Sequence, residues 1–285
     1  MPVSCGTCGE DEELSAEQLD DGRRRITCGS CGEIWVRGEA RVVYRSVHSV
    51  ADTRARFASR TIISPESAER AGLLRARYLA EHPTSDPRSA AFRTRYREAF
   101  SSERLQHLTI EDIRHFANSN LAGNPGNMSV FNLALRDLGE DEATRRVRET
   151  IEYLLRGPEG TWIEDRLTDC ILGRNGLGVQ GFREALLTKV LCMAEPERFL
   201  PITKYTGFAG KREIAGWVYG LELPRPEATQ WTIGRLIIWS NDLLIGAVGE
   251  GFRDTEHMAG FLWWAKDEAR RAAGLEPEET PDPGE

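Results

Sequence analysis

The chain has 285 residues, 40% of them hydrophobic, with seven Trp and a formal charge of −8. That length exceeds a typical single domain and supplies a sizeable core, which predicts a small module joined to a larger body. The negative balance excludes a protein wrapped over its whole surface in nucleic acid and leaves that role to local basic faces, while the lack of an apolar run near about 18 residues excludes a spanning helix.

The first element is two C-x-x-C knuckles, Cys5-Gly6-Thr7-Cys8 and Cys28-Gly29-Ser30-Cys31, separated by nineteen residues. Four thiolates satisfy a tetrahedral Zn²⁺, and each knuckle needs a tight turn so that two sulfurs reach one ion. Gly6, Gly9, Gly29 and Gly32 are placed to supply those turns. Residues around Arg24, Ile26 and Thr27 and around Ile34, Trp35 and Val36 read as strands of a ribbon, with Asp21-Gly22 as a turn. Zn²⁺ on Cys5, Cys8, Cys28 and Cys31 is therefore the expected cofactor. Thiols kept as metal ligands, with no signal peptide in view, suggest a reducing cytoplasm. The other two cysteines, Cys170 and Cys192, lie in apolar helical surroundings and read as core.

After the ribbon the chain turns basic. Arg37, Arg41, Arg45, Arg54, Arg56, Arg60 and His48 stand against Glu39 and Asp52. Arg forks match phosphate oxygens and keep their charge, so this run is either a nucleic-acid contact or an ordinary solvated linker. Ser64-Pro65-Glu66 starts a helix that Pro83 stops, and 82–88 reads as a hinge at a domain boundary.

From Ala91 the periodicity is helical. Phe92, Tyr96 and Phe100 mark a buried stripe. Thr109 with Asp112 forms a capping-box variant ahead of Ile110, Ile113 and Phe116, and Asn118 to Asn127 is a loop. Helices follow over 142–156 and from Trp162, then a glycine-rich turn from Gly176 to Phe182 enters an apolar helix that ends at Glu195-Pro196. Such a turn either offers backbone N–H groups to a phosphate, making Gly178 and Gly181 candidates, or packs two helices closely. Lys204, Lys211 and Arg212 form a second basic patch; Gly207 to Arg212 is not a P-loop, because its spacing is wrong and no Ser or Thr follows the Lys. Helices over 232–247 and 254–273 close the body, and 276–285 reads as a disordered acidic tail. The expected fold is mainly α, with a small β zinc ribbon at the N-terminus followed by a multi-helix domain. Its parts are a ribbon over 1–45, a basic linker and helix over 46–90, a helical domain over 91–275 and the tail.

Phe92 to Leu105 with Leu108-Thr109-Ile110-Glu111-Asp112, Pro196 to Ile202, and Phe261-Leu262-Trp263-Trp264 together resemble the helical module ahead of the AAA motor in McrB-type restriction proteins. No motor motif follows, so the resemblance implies a recognition or adaptor part in a bacterial restriction or antiviral defence system. Gly178 to Ile202 also resembles the helix-hairpin-helix DNA glycosylases, with Thr203 where that family carries a catalytic Asp. The sequence thus points to a zinc-ribbon protein that binds nucleic acid, read as DNA, without catalysis, with a possible protein partner in a defence complex. Its rivals are a glycosylase-like or nuclease enzyme and a protein-docking adaptor.

Overall fold

The computed structural model describes residues 5, 7–8, 12–18, 24–37, 62–84, 86–158, 160–208, 210–229 and 231–275. Among these, three antiparallel strands precede ten α-helices, so the chain is mainly helical behind a small sheet. The run Arg41 to Arg60, the Asp21-Gly22 turn and the acidic tail lie outside the described residues.

The sheet runs β1 (Leu14–Gln18), β2 (Arg24–Cys28), β3 (Ile34–Arg37) in that order. Ile26 and Cys28 of β2 are buried on alternate positions, as period-two patterning requires. Ile26 pairs with Trp35, and Glu17 stands opposite Arg25 with their charges 3.1 Å apart. With so few buried apolar side chains, this sheet cannot be held by a core of its own.

The helices are α1 (Pro65–Glu81), α2 (Pro87–Ala99), α3 (Ile110–Asn118), α4 (Ser129–Leu138) and α5 (Glu140–Arg156). They continue with α6 (Ile163–Leu172), α7 (Glu184–Ala194), α8 (Lys211–Tyr219), α9 (Ile233–Val248) and α10 (Thr255–Ala272). Several starts follow directly from side-chain capping. Ser64 accepts from the Ser67 N–H, Thr109 and Asp112 close a reciprocal capping box, and Thr232 and Asp254 cap α9 and α10.

α7 and α9 form the centre. Leu186 to Met193 of α7 is buried without a break, and α9 is buried from Gly234 to Asn241, which is what a helix apolar on every side does. α7 lies against α2, α5 and α6, whereas α9 lies against α6, α8 and α10. The stripe Phe92, Tyr96 and Phe100 packs on Phe116 of α3, as its spacing predicts.

Three features depart from the sequence reading. α1 belongs to the body, because Tyr78 sits among Phe252, His257, Phe261 and Trp264, so the two prolines after it turn the chain between helices of one core. α2 begins at Pro87 rather than Ala91, since Asp86 caps it by accepting from Arg88 N–H. α4 and α8 were not expected. Each is short, and α8 is disguised by the glycines before it.

The tightest helix crossing is that of α6 on α9. Gly234 N–H and Thr232 Oγ1 both meet Thr168 Oγ1, at 3.1 and 3.0 Å. A Cβ on residue 234 would stand 2.0 Å from Glu164 O and 2.6 Å from Thr168 Oγ1. Gly234→Ala should therefore destabilise the protein by roughly 1–3 kcal/mol through overpacking, read as a lowered denaturation midpoint. An unchanged midpoint would mean that the two helices separate freely.

Candidate metal centre

The two knuckles close on one point. Sγ of Cys5 lies 3.5 Å from Sγ of Cys31, and Sγ of Cys8 lies 3.7 Å from Sγ of Cys28. All four sulfurs fall within 4.8 Å of one another. A regular tetrahedron with metal–sulfur bonds of about 2.3 Å has edges of about 3.8 Å, whereas a disulfide would bring two sulfurs to about 2.05 Å. All four cysteines are free. The donor set and its spacing are those of a four-coordinate metal site.

Local backbone builds this geometry. Cys28 N–H donates to Glu33 O at 2.7 Å and Gly32 N–H to Cys28 O at 2.8 Å, folding the second knuckle around Gly32, whose φ of 69° suits glycine. Gly29 N–H donates to Glu13 O, and a Cβ there would stand 3.2 Å from that same oxygen, so the loop before β1 passes close over the knuckle. The backbone N–H of Cys31 holds the Cys28 thiol below its ordinary value. Burial, and then the crowding of the other three sulfurs, pushes the Cys31 thiol up. Four thiolates so close repel one another, and a cation among them removes the conflict.

The centre has outer partners that sequence reasoning missed. The Glu33 carboxylate accepts from Thr7 Oγ1 at 2.8 Å and from Arg235 Nη1 at 2.7 Å, and Arg235 Nη2 reaches its other oxygen. Arg235 also donates to Ile34 O at 3.2 Å, and its Nε lies 3.5 Å from Asp165 Oδ1. Burial pushes the Asp165 carboxyl up, and the Arg235 charge opposes that shift. The available signal was a lone arginine in the otherwise apolar start of α9, Ile233-Gly-Arg-Leu-Ile-Ile.

The second basic patch is not an exposed cluster. Lys211 is fully buried, and its Nζ makes no hydrogen bond among the described residues. Burial lowers it to about 8, opposed by the charges of Cys192, Glu184 and Asp242. Arg212 spends its Nε on Leu223 O at 2.9 Å. Lys204 is half-buried, its Nζ 3.2 Å from where a Cβ of Gly126 would stand.

The glycine-rich turn is also committed. Gly178 N–H donates to Thr150 Oγ1 at 2.9 Å, and a Cβ on Gly181 would stand 2.6 Å from Phe131 N, so this turn packs over the start of α4. This favours the close-packing alternative, with the Gly178 N–H already engaged. Thr203 is buried and donates to Asn124 O, while Lys189 gives its Nζ to Phe116 O at 3.0 Å and to Ser119 O beneath the rings of Phe92 and Phe116. Cys170 and Cys192 are core residues, as their surroundings suggest. No helix among the described residues is long and apolar enough to cross a membrane.

No protein-family model matches the chain, and neither a curated protein nor a solved structure matches it.

Two outcomes are expected. Protein purified without chelator should carry about one metal ion per chain, and Cys28→Ser should lose it and the sheet signal while the helices remain; metal-free wild type in elemental analysis contradicts this. Lys211→Met should leave any nucleic-acid binding unchanged. It should also change the pH profile of stability, because a lysine whose folded value is about 8 against an ordinary 10.5 binds more protons unfolded than folded in that window. Wild-type stability should thus rise relative to Lys211→Met as pH climbs from about 8 to 10.5, measured by urea melts; a constant difference would place Lys211 in water.

Proposed function

We propose that the chain is a zinc-ribbon protein that binds nucleic acid, most simply DNA, through basic side chains and performs no chemistry on it. The observation that carries the reading is the closed four-sulfur cluster at the head of the basic run. A set of four protein sulfurs has no coordination position left for water or substrate, which is the mark of a structural rather than a catalytic metal site. The soft thiolate donors favour zinc. Arg41, Arg45, Arg54, Arg56 and Arg60 follow directly in sequence, so a folded ribbon anchors one end of the segment that would meet phosphates.

The helical body supports a second contact. A groove of about 440 Å³ between α3 and α4 is lined by Arg114, Asn118, Ser129, Asn132, Leu133 and Arg136, of which Arg114 is paired with Glu140 Oε1 at 3.1 Å. Asn118 and Asn132 pair amide to amide at 2.8 and 3.2 Å, and because the other Asn118 N–H goes to Arg114 O at 2.8 Å, it is Asn132 that keeps a further N–H for a base edge or backbone. This groove takes the part first given to Lys211, Gly178 and Gly181. The likeness of Phe92 to Asp112 to the McrB-type module supports a place in a restriction or defence complex, where the body recognises DNA or meets a protein partner.

The enzyme reading finds less support. Thr203 stands where a glycosylase-like site wants a carboxylate, and the Lys189 ammonium is buried on two carbonyls. A docking role for the ribbon is the reading that remains if nucleic acid does not bind.

Binding measured against salt on single-stranded and duplex DNA tests the proposal. On duplex, log affinity should fall with log salt by about 0.9 per phosphate neutralised. Replacing Arg54, Arg56 and Arg60 by Ala should weaken binding across sequences and flatten that slope by up to about 3. Absent binding, or an unchanged slope in the folded triple variant, would favour protein docking.

A further inference from the structure

We propose that Arg235 is an outer support of the metal centre, so that holding the metal and docking the ribbon on the helical body are one equilibrium. The proposal rests on the four-sulfur cluster being a metal site, and it concerns residues that no metal touches.

The connection can be followed bond by bond from the sulfurs outward. Cys28 N–H donates to Glu33 O, so the turn that sets the second knuckle also sets where Glu33 stands. The Glu33 carboxylate then accepts from Thr7 Oγ1, the hydroxyl between Cys5 and Cys8. One carboxylate therefore ties the two knuckles to each other, and it is itself held in the fork of Arg235, which also takes Ile34 O from the start of β3.

The fork stands on a stiff base. Arg235 lies in the first turn of α9, beside the closest crossing in the body, where Gly234 and Thr232 meet Thr168 of α6. Its side chain is 1% exposed and that of Glu33 13% exposed, so this is not a solvated pair worth almost nothing. A bidentate fork on a carboxylate fixes direction as well as distance. Breaking it would leave Arg235 buried with Asp165 as its remaining carboxylate neighbour.

Outer partners of metal ligands tune affinity although they never touch the ion, and their loss costs roughly 10–100-fold. By linkage, whatever factor the docked body adds to metal affinity the metal adds to docking. Metal loss should accordingly free the ribbon and expose the Arg235 end of α9.

The experiment uses the full chain, with zinc affinity measured by competition against a chromophoric chelator for wild type, Glu33→Gln, Arg235→Gln and the double variant. Each single change should weaken zinc roughly 10–100-fold, and the double variant should be little worse than the weaker single one. Added zinc should raise the melting temperature of the helical signal in wild type and not in Glu33→Gln. Because Glu33 lies on the ribbon side, that variant decides the matter if Arg235→Gln fails to fold. Native zinc affinity in Glu33→Gln with native helical content overturns the proposal, as do fully additive losses in the double variant. Wild type that holds no zinc would instead overturn the metal reading on which it rests.

Discussion

A guanidinium removed from water must be met by carboxylates and carbonyls, and Arg235 is the point where this protein satisfies that demand across two parts of its chain. Its side chain is 1% exposed, and the groups that meet it come from the ribbon, as Glu33 and Ile34, and from α6, as Asp165. Desolvation makes such a cluster a poor source of stability but a strict one for geometry, since any other arrangement leaves a buried charge without its partners. The ribbon, with little apolar surface of its own, thereby gains a defined seat.

The same rule organises the interior of the body, where charged and polar side chains do work that loops and caps would otherwise leave undone. Lys189 satisfies carbonyls of Phe116 and Ser119 at the end of α3, and Asn241 of α9 receives Leu200 N–H while donating to Arg198 O. Tyr205 N–H donates to the Glu184 carboxylate at the start of α7. Irregular stretches between helices are thus held by side chains from the central helices, which is how a body with long connections remains packed. In the second patch, likewise, Lys211 is buried and Arg212 gives its Nε to Leu223 O.

Function reads differently at the two ends of the chain. The four donors of the sulfur cluster can be named from their spacing. The helical body carries no comparable sulfur cluster among its described residues, and its groove between α3 and α4 is lined by amides and arginines.

The sequence by itself determined the features whose physics is local. C-x-x-C pairs place two sulfurs on one turn whatever surrounds them, Ser64 and Thr109 cap the helices they precede, and Phe92, Tyr96 and Phe100 share a face through the helical period alone. Only the tertiary structure decided which charged or glycine residues face solvent, because that depends on partners far away in the chain. Lys211 looked like a surface cation and lies beside buried Cys192, Gly181 read equally as a phosphate cradle or a packing turn and abuts Phe131, and α1 read as a helix set apart by a hinge and joins the core through Tyr78. Arg235 and Glu33 are separated by 202 positions. No window of sequence could pair them; burial of both in one seat does.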